Sequence, residues 1–159
     1  MRKIKAQKLT KEAFAPYGAY TDLLAPEGYS MGAFYPDRLM MPAAGDMQIA
    51  FSPLLAEKPA KYIVSTAEYH NSTCECILAL DGDVIVHVAP PSNAPVPELT
   101  EAFIVPKGTM VRLDLGVWHL GPMAIDGDCH IMIVLPQRIY MNDCIVIDYA
   151  EKDFVEIEL

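Results

Sequence analysis

Positive charge is scarce in this sequence: 12 lysines and arginines stand against 21 aspartates and glutamates, a net charge of −9 over 159 residues. The shortage is uneven. Arg2, Lys3, Lys5, Lys8 and Lys11 all precede the first acid, Glu12, so the opening carries +5 and the remainder −14. A body of that sign repels phosphate backbones and anionic lipid, which excludes nucleic acid and membrane surfaces as partners of anything but the short basic end. Long apolar runs are also lacking. None reaches the ~18 residues of a membrane span, and Thr10-Lys11-Glu12 interrupts any signal-type apolar segment behind the basic start, so the expected compartment is the cytoplasm. Cysteine is sparse: Cys74, Cys76, Cys129 and Cys144 are read as reduced thiols, buried in the core. The Cys74-x-Cys76 pair lacks the two-residue gap of zinc and redox motifs.

Helical patterning is nearly absent. One short helix is expected near the start, where Thr10 offers an N-cap and Pro16 and Gly18 a stop in Leu9-Thr10-Lys11-Glu12-Ala13-Phe14-Ala15-Pro16-Tyr17-Gly18. Residues 19–60 scatter proline and glycine through short apolar pieces, which suits brief strands and long loops. From Tyr62 onward β-rich runs recur between turn dipeptides: 62–66, 76–80, 84–88, 102–105, 110–113, 117–124, 130–135 and 144–149. With 52% hydrophobic and 21% charged residues, the chain can bury a substantial core. The expectation is one all-β domain over residues 1–159, an antiparallel sandwich or barrel of the jelly-roll kind.

Two windows resemble the motifs of cupins, jelly-roll barrels that hold metal ligands on facing interior strands. Glu68-x-His70-x(4)-Glu75-x(6)-Gly82 keeps the spacing of the first motif, with Glu68 where that motif has histidine. Gly108-x(5)-Asp114-x-Gly116-x(2)-His119-x(3)-Met123 keeps both glycines and the histidine of the second, without its proline and asparagine. Strand geometry gives these spacings a reason. Glu68 and His70, two apart, share one face of a strand. Glu75 lies an odd number of residues from His70 and joins that face only if Asn71-Ser72-Thr73 bends, which those residue types favour; Cys74 and Cys76 then face away. Gly116 permits the tight turn that brings His119 opposite. Two imidazoles with one or two carboxylates make a mixed N/O site suited to Mn²⁺, Fe²⁺, Ni²⁺ or Zn²⁺. Taken singly, each of these side chains reads as an ordinary strand or surface residue; two motifs in order favour a site. His87 and His130, inside apolar runs and outside both motifs, are read as structural, or at most as supporting a metal ligand from behind. Arg112, Lys107, Arg138 and Tyr140 lie near the motif strands and are candidates for holding a substrate carboxylate, against a bland reading as solvated or snorkelling side chains.

Four stretches carry a narrower resemblance: the opening Leu9 to Gly18; Glu68-Tyr69-His70 followed by Gly82-Asp83-Val84; Phe103-Ile104 leading to Val117-Trp118-His119; and Asn142-Asp143-Cys144. Together they resemble the ureidoglycolate lyase family, also called ureidoglycolate hydrolases, a cupin branch of allantoin and purine catabolism. The sequence departs from that pattern at Glu75, where an amide is usual, and at Leu120 and Asp114, where histidines occur. The resemblance implies a homodimeric lyase cleaving (S)-ureidoglycolate to glyoxylate and urea. It implies a divalent metal on His70, Glu75 and His119, with Glu68 as fourth ligand or general base and Trp118 beside the substrate. The departures keep two alternatives open: a small-acid-binding or regulatory cupin without catalysis, and a metal-dependent isomerase or dioxygenase acting on another hydroxy or keto acid.

Overall fold

Thr10 caps the first helix as its sequence predicts. Its Oγ1 accepts the Ala13 N–H at 3.2 Å, and the single turn α1 (Lys11–Phe14) ends ahead of Pro16. The computed structural model describes residues 1–43 and 45–159. The rest of the regular structure is almost entirely β: β1 (Arg2–Lys5), β2 (Gln7–Lys8), β3 (Gly18–Asp22), β4 (Ile49–Ala56), β5 (Tyr62–Val64), β6 (Thr66–Tyr69), β7 (Glu75–Ala79), β8 (Val84–Ala89), β9 (Glu101–Val105), β10 (Thr109–Leu113), β11 (Trp118–His119), β12 (Met123–Ala124), β13 (Cys129–Pro136), β14 (Ile145–Asp148) and β15 (Val155–Glu158).

These strands form three sheets. One runs β3-β10-β7-β13-β4, a second β14-β6-β11-β8-β9-β2 with β12 also on β8, and a third β1-β15-β5. Pairing is antiparallel except where β1 meets β15 and β2 meets β9. The first two sheets face each other over the main core as a jelly-roll sandwich whose sheets each run from edge to edge. Period-2 alternation decides what enters that core. Val84, Val86 and Val88 of β8 point in, against Ile77 and Ala79 of β7, Val111 and Leu113 of β10, Phe103 of β9 and Ile131 of β13. Each such side chain contributes roughly 1.5–3 kcal/mol by leaving water. Phe14 joins α1 to this core, its ring edge-on to Phe103 at 5.2 Å. The opposite face of β8 is covered too: Ile85 packs with Val64, Val155 and Ile157 of the third sheet. Burial on both sides explains why β8 reads as an unbroken apolar run around His87.

The +5 segment is ordered as β1 and β2 against the sandwich. In the proline-rich stretch two strands form, and β4 tolerates Pro53 because it is an edge strand. Val117–Ala124, expected as one strand, is two short ones interrupted at Leu120-Gly121-Pro122. A second helical turn, α2 (Ile139–Asn142), follows Arg138 at φ 64°; no side chain caps it, which is why no sequence signal announced it. All four cysteines are free, with Cys74, Cys76 and Cys129 buried. Among the described residues no helix is long and apolar enough to cross a membrane.

Candidate metal centre

At one end of the sandwich, four motif residues meet between the two large sheets. Glu68 of β6 and His119 of β11 are direct cross-strand partners and therefore share a face. His70 follows β6, and Glu75 opens β7 in the facing sheet. The odd spacing between His70 and Glu75 is absorbed by a bend at Asn71-Ser72. Asp143 clamps that bend: Asn71 N–H donates to its carboxylate at 3.0 Å and Ser72 N–H at 2.7 Å, joined by the Ser72 hydroxyl. Gly116, at φ 76°, turns the chain so that its N–H donates to the His70 carbonyl at 2.8 Å, tying the second motif to the first. Gly82, the glycine of the first motif, lies so close to β13 that a Cβ there would sit 2.7 Å from Cys129 Cβ.

One ligand atom from each of Glu68, His70, Glu75 and His119 lies within 4.8 Å of all the others. His70, Glu75 and His119 are buried, while the Glu68 side chain is 21% exposed. His70 Nδ1–H donates to the Asp143 carbonyl at 2.6 Å and His119 Nδ1–H to the Val117 carbonyl at 2.8 Å. A carbonyl only accepts, so both Nδ1 atoms carry hydrogen and both Nε2 atoms are left to face the cluster. They approach one Glu75 oxygen at 3.0 and 3.3 Å. Two Nε2 lone pairs and a carboxylate turned on one another require positive charge between them, supplied either by protons on Nε2 or by a cation. The electrostatics of the cluster agree. Burial alone would raise the Glu75 pKa, yet hydrogen bonds from His119 and His70 bring it down to about 2. Burial likewise opposes charge on both imidazoles, but Glu75 and the backbone carbonyls raise their pKa values overall. Two carboxylates and two neutral imidazoles balance a divalent ion, and carbonyls holding each Nδ1–H orient ligand histidines as metal sites require. The donor set fits a divalent metal of the borderline or hard class.

A model of the ureidoglycolate lyase family matches residues 1–156. The chain belongs to the ureidoglycolate lyase family. The ureidoglycolate lyase of Pseudomonas savastanoi pv. phaseolicola is 31% identical over 136 residues, covering 79% of this chain and 78% of that one. That of Pseudomonas aeruginosa strain UCBPP-PA14 is 30% identical over 133 residues, covering 79% of each. That of Azotobacter vinelandii is 26% identical over 141 residues, covering 84% of this chain and 85% of its own. These relatives are enzymes, and the family match runs through both halves of the cluster.

The remaining candidates do not reach the cluster. Leu113 is the cross-strand partner of Glu75 and Arg112 that of Cys76, so Arg112 emerges on the opposite face of the sheet. There it holds Asp114 at 2.9 Å and the Met40 carbonyl at 2.8 Å. Lys107 sits in the turn between β9 and β10, in a cavity of about 430 Å³ with Asp81, Asp83 and Asp126. Tyr140 is 72% exposed on α2. Trp118 is fully buried but alternates away from His119, stacking edge-on with Tyr69 at 4.5 Å and donating Nε1–H to Ser92 Oγ at 2.9 Å. His130 is a surface residue paired with Asp81 at 2.6 Å. His87 is buried away from the cluster between two sheets. Two residues matter that spacing did not single out. Asp143 positions His70, and the Cys144 thiol donates to Glu68 Oε2 at 3.0 Å, with burial and then Glu68 pushing its pKa up to about 12. Their only signal was the family-like tail Asn142-Asp143-Cys144.

Proposed function

We propose that this chain is a lyase that cleaves (S)-ureidoglycolate to glyoxylate and urea, assisted by a divalent cation on His70, Glu75 and His119, with Glu68 beside it as general base. The observation that carries the reading is the orientation of both Nε2 atoms toward Glu75, which prepares the cluster for a cation. When bound, a nickel, manganese, iron or zinc ion supplies Lewis acidity that lowers the pKa of the substrate hydroxyl and neutralises its carboxylate. His70, Glu75 and His119 hold fixed positions, locked by Asp143, Val117 and each other. Glu68 is the least buried of the four and the one reached by a thiol donor rather than by an imidazole within hydrogen-bond range. It takes the hydroxyl proton; as the C–O bond gains carbonyl character the C–N bond breaks, and Glu68 returns the proton to the departing ureido nitrogen. The products are glyoxylate and urea, with no oxidant consumed. With Arg112 on the far face, His70, Glu75 and His119 would hold the positive charge that the substrate carboxylate needs in an acidic protein.

We further infer a cytoplasmic homodimer in purine catabolism. Edge strands β4 and β14 carry exposed Phe51, Leu55, Ile145 and Val146, apolar surface that a second copy would cover. The test is elemental analysis of the purified protein followed by urea release from ureidoglycolate. His70→Ala and His119→Ala each lose the metal and reduce urea release by at least about 100-fold. Undiminished activity after chelation refutes the metal's role. Absence of urea release from the metal-loaded protein refutes the lyase, and oxygen uptake with an iron-loaded sample on another hydroxy acid would replace it with a dioxygenase.

A further inference from the structure

The far edge of the sandwich carries a concave feature, separate from the metal centre. It lies where β2, the last strand of one large sheet, meets β3, the last strand of the other. Its position along β10 is at Thr109, whereas the metal centre is at the Leu113 end, a separation of about 13 Å at 3.3 Å per residue. One part is an apolar cavity of about 220 Å³ against Leu9, Tyr20, Ile104 and Pro106. It continues past Lys8, Tyr20 and Asp22 into a polar cavity of about 480 Å³ that Lys11, Glu27 and Arg38 also line. The turn that follows β9 closes the apolar end, with Leu23 N–H donating to the Gly108 carbonyl at 2.9 Å. The volumes suit a small molecule.

The charges around this cleft are unusual for the chain. Of the basic opening, Lys3 is neutralised by Glu156 and Glu158, and Arg2 is held by the carbonyls of Pro97 and Thr100. Among the described residues, Lys8, Lys11 and Arg38 have no carboxylate within 4.0 Å. Arg38 is fixed in place by the carbonyls of Pro36 and Glu27 alone, at 2.9 and 2.6 Å. Asp22 also faces the cleft, with one carboxylate oxygen accepting the N–H groups of Leu24 and Ala25. Among the lining residues three cations against Asp22 and Glu27 leave one net positive charge, and Glu12 acts on Tyr20 from outside the lining, so the cleft suits a monoanion rather than a dianion. An added peptide strand fits poorly, because β2 is two residues long and carries lysine, the usual protection of a sheet edge.

We propose that this cleft is a second ligand site, taking a monocarboxylate with an apolar body: the carboxylate among Lys8, Lys11 and Arg38, the body against Leu9, Tyr20 and Ile104. It does not depend on the metal-centre reading. The test is titration of the isotope-labelled full chain with 3-phenylpropionate, followed by backbone amide NMR, with 3-phenylpropanamide as the neutral isostere. Saturable shifts are expected at Lys8, Leu9, Tyr20, Asp22, Ile104 and Thr109, with the amide binding at least about threefold more weakly. Lys8 and Lys11 are exposed, so Lys8→Gln/Lys11→Gln keeps the fold and weakens the carboxylate by about fivefold. The proposal is overturned by equal binding of acid and amide, by shifts confined to Glu68–His70, Glu75 and His119, or by no saturation. Concentration-dependent broadening of the cleft amides without ligand would also overturn it, by making the cleft a contact between copies.

Discussion

Acidification should destabilise this protein through His87, a residue outside the metal centre. His87 lies on β8 opposite Ala102 of β9, on the face turned toward the third sheet, between Ile85 and Ala89. It is 3% exposed, and neither ring nitrogen has a hydrogen-bond partner among the described residues. Burial, and secondarily the charge of His119, hold its pKa down at about 3, against about 6.5 in an unfolded chain. Below pH 6.5 the unfolded state therefore binds a proton that the folded state refuses, and stability falls with falling pH until about pH 3. The linkage slope approaches about 1.4 kcal/mol per pH unit, giving a loss of about 2 kcal/mol between neutrality and pH 5. His70 and His119, with raised pKa values, act in the opposite direction, so the whole-protein profile mixes signs. A difference measurement isolates His87. Urea denaturation of metal-free wild type and His87→Leu at pH 7, 6 and 5 should show the variant gaining about 2 kcal/mol relative to wild type across that range. A difference constant to within about 0.5 kcal/mol would refute the buried neutral imidazole.

Other outcomes follow from the site. Glu75→Ala in metal-free protein leaves two buried imidazoles facing a cavity and should cost about 3 kcal/mol in urea denaturation near pH 6; a loss under about 1 kcal/mol would mean the triad is not formed. Without a cation the positive charge between the Nε2 atoms and Glu75 must come from protons, so loading with Zn²⁺ near pH 6 should release up to about two protons, read by calorimetry in buffers of different ionisation enthalpy, and affinity should rise with pH. No release would place the metal elsewhere. Gly116→Ala forces a side chain to φ 76° with its Cβ 3.2 Å from Pro91, costing about 1–2 kcal/mol in thermal unfolding and weakening metal retention by loosening the bond to His70.

The cluster was legible in the sequence because its geometry is mostly local. Glu68 and His70 share a strand face by period, Gly116 sits three residues before His119, and Asn71-Ser72 suits a bend. The substrate-side residues were not. Arg112 is two residues from Asp114 in a motif strand, and nothing in a sequence without an established register says which of two faces it takes. Only its pairing with Cys76 places it away from Glu75. The second helical turn escaped notice for a related reason: it has no side-chain cap, and the chain follows it because β13 must return to the edge of the opposite sheet.

By itself, then, the sequence determined the β class, the capped first turn, the family and the four residues that meet in the candidate metal centre, because period-2 patterning, caps and turn glycines are short-range physics. Tertiary structure decided what depends on residues far apart in the chain. Asp143 and Cys144 reach His70 and Glu68 across more than 70 positions. His87 loses its solvent only when the third sheet covers β8, and Lys8 of β2, Lys11 of α1 and Arg38 come to line one cleft only in the folded chain. Strand pairing and desolvation are long-range, and they gather Glu68, His70, Glu75 and His119 at one end of the sandwich and Lys8, Lys11 and Arg38 around a cleft at the other edge.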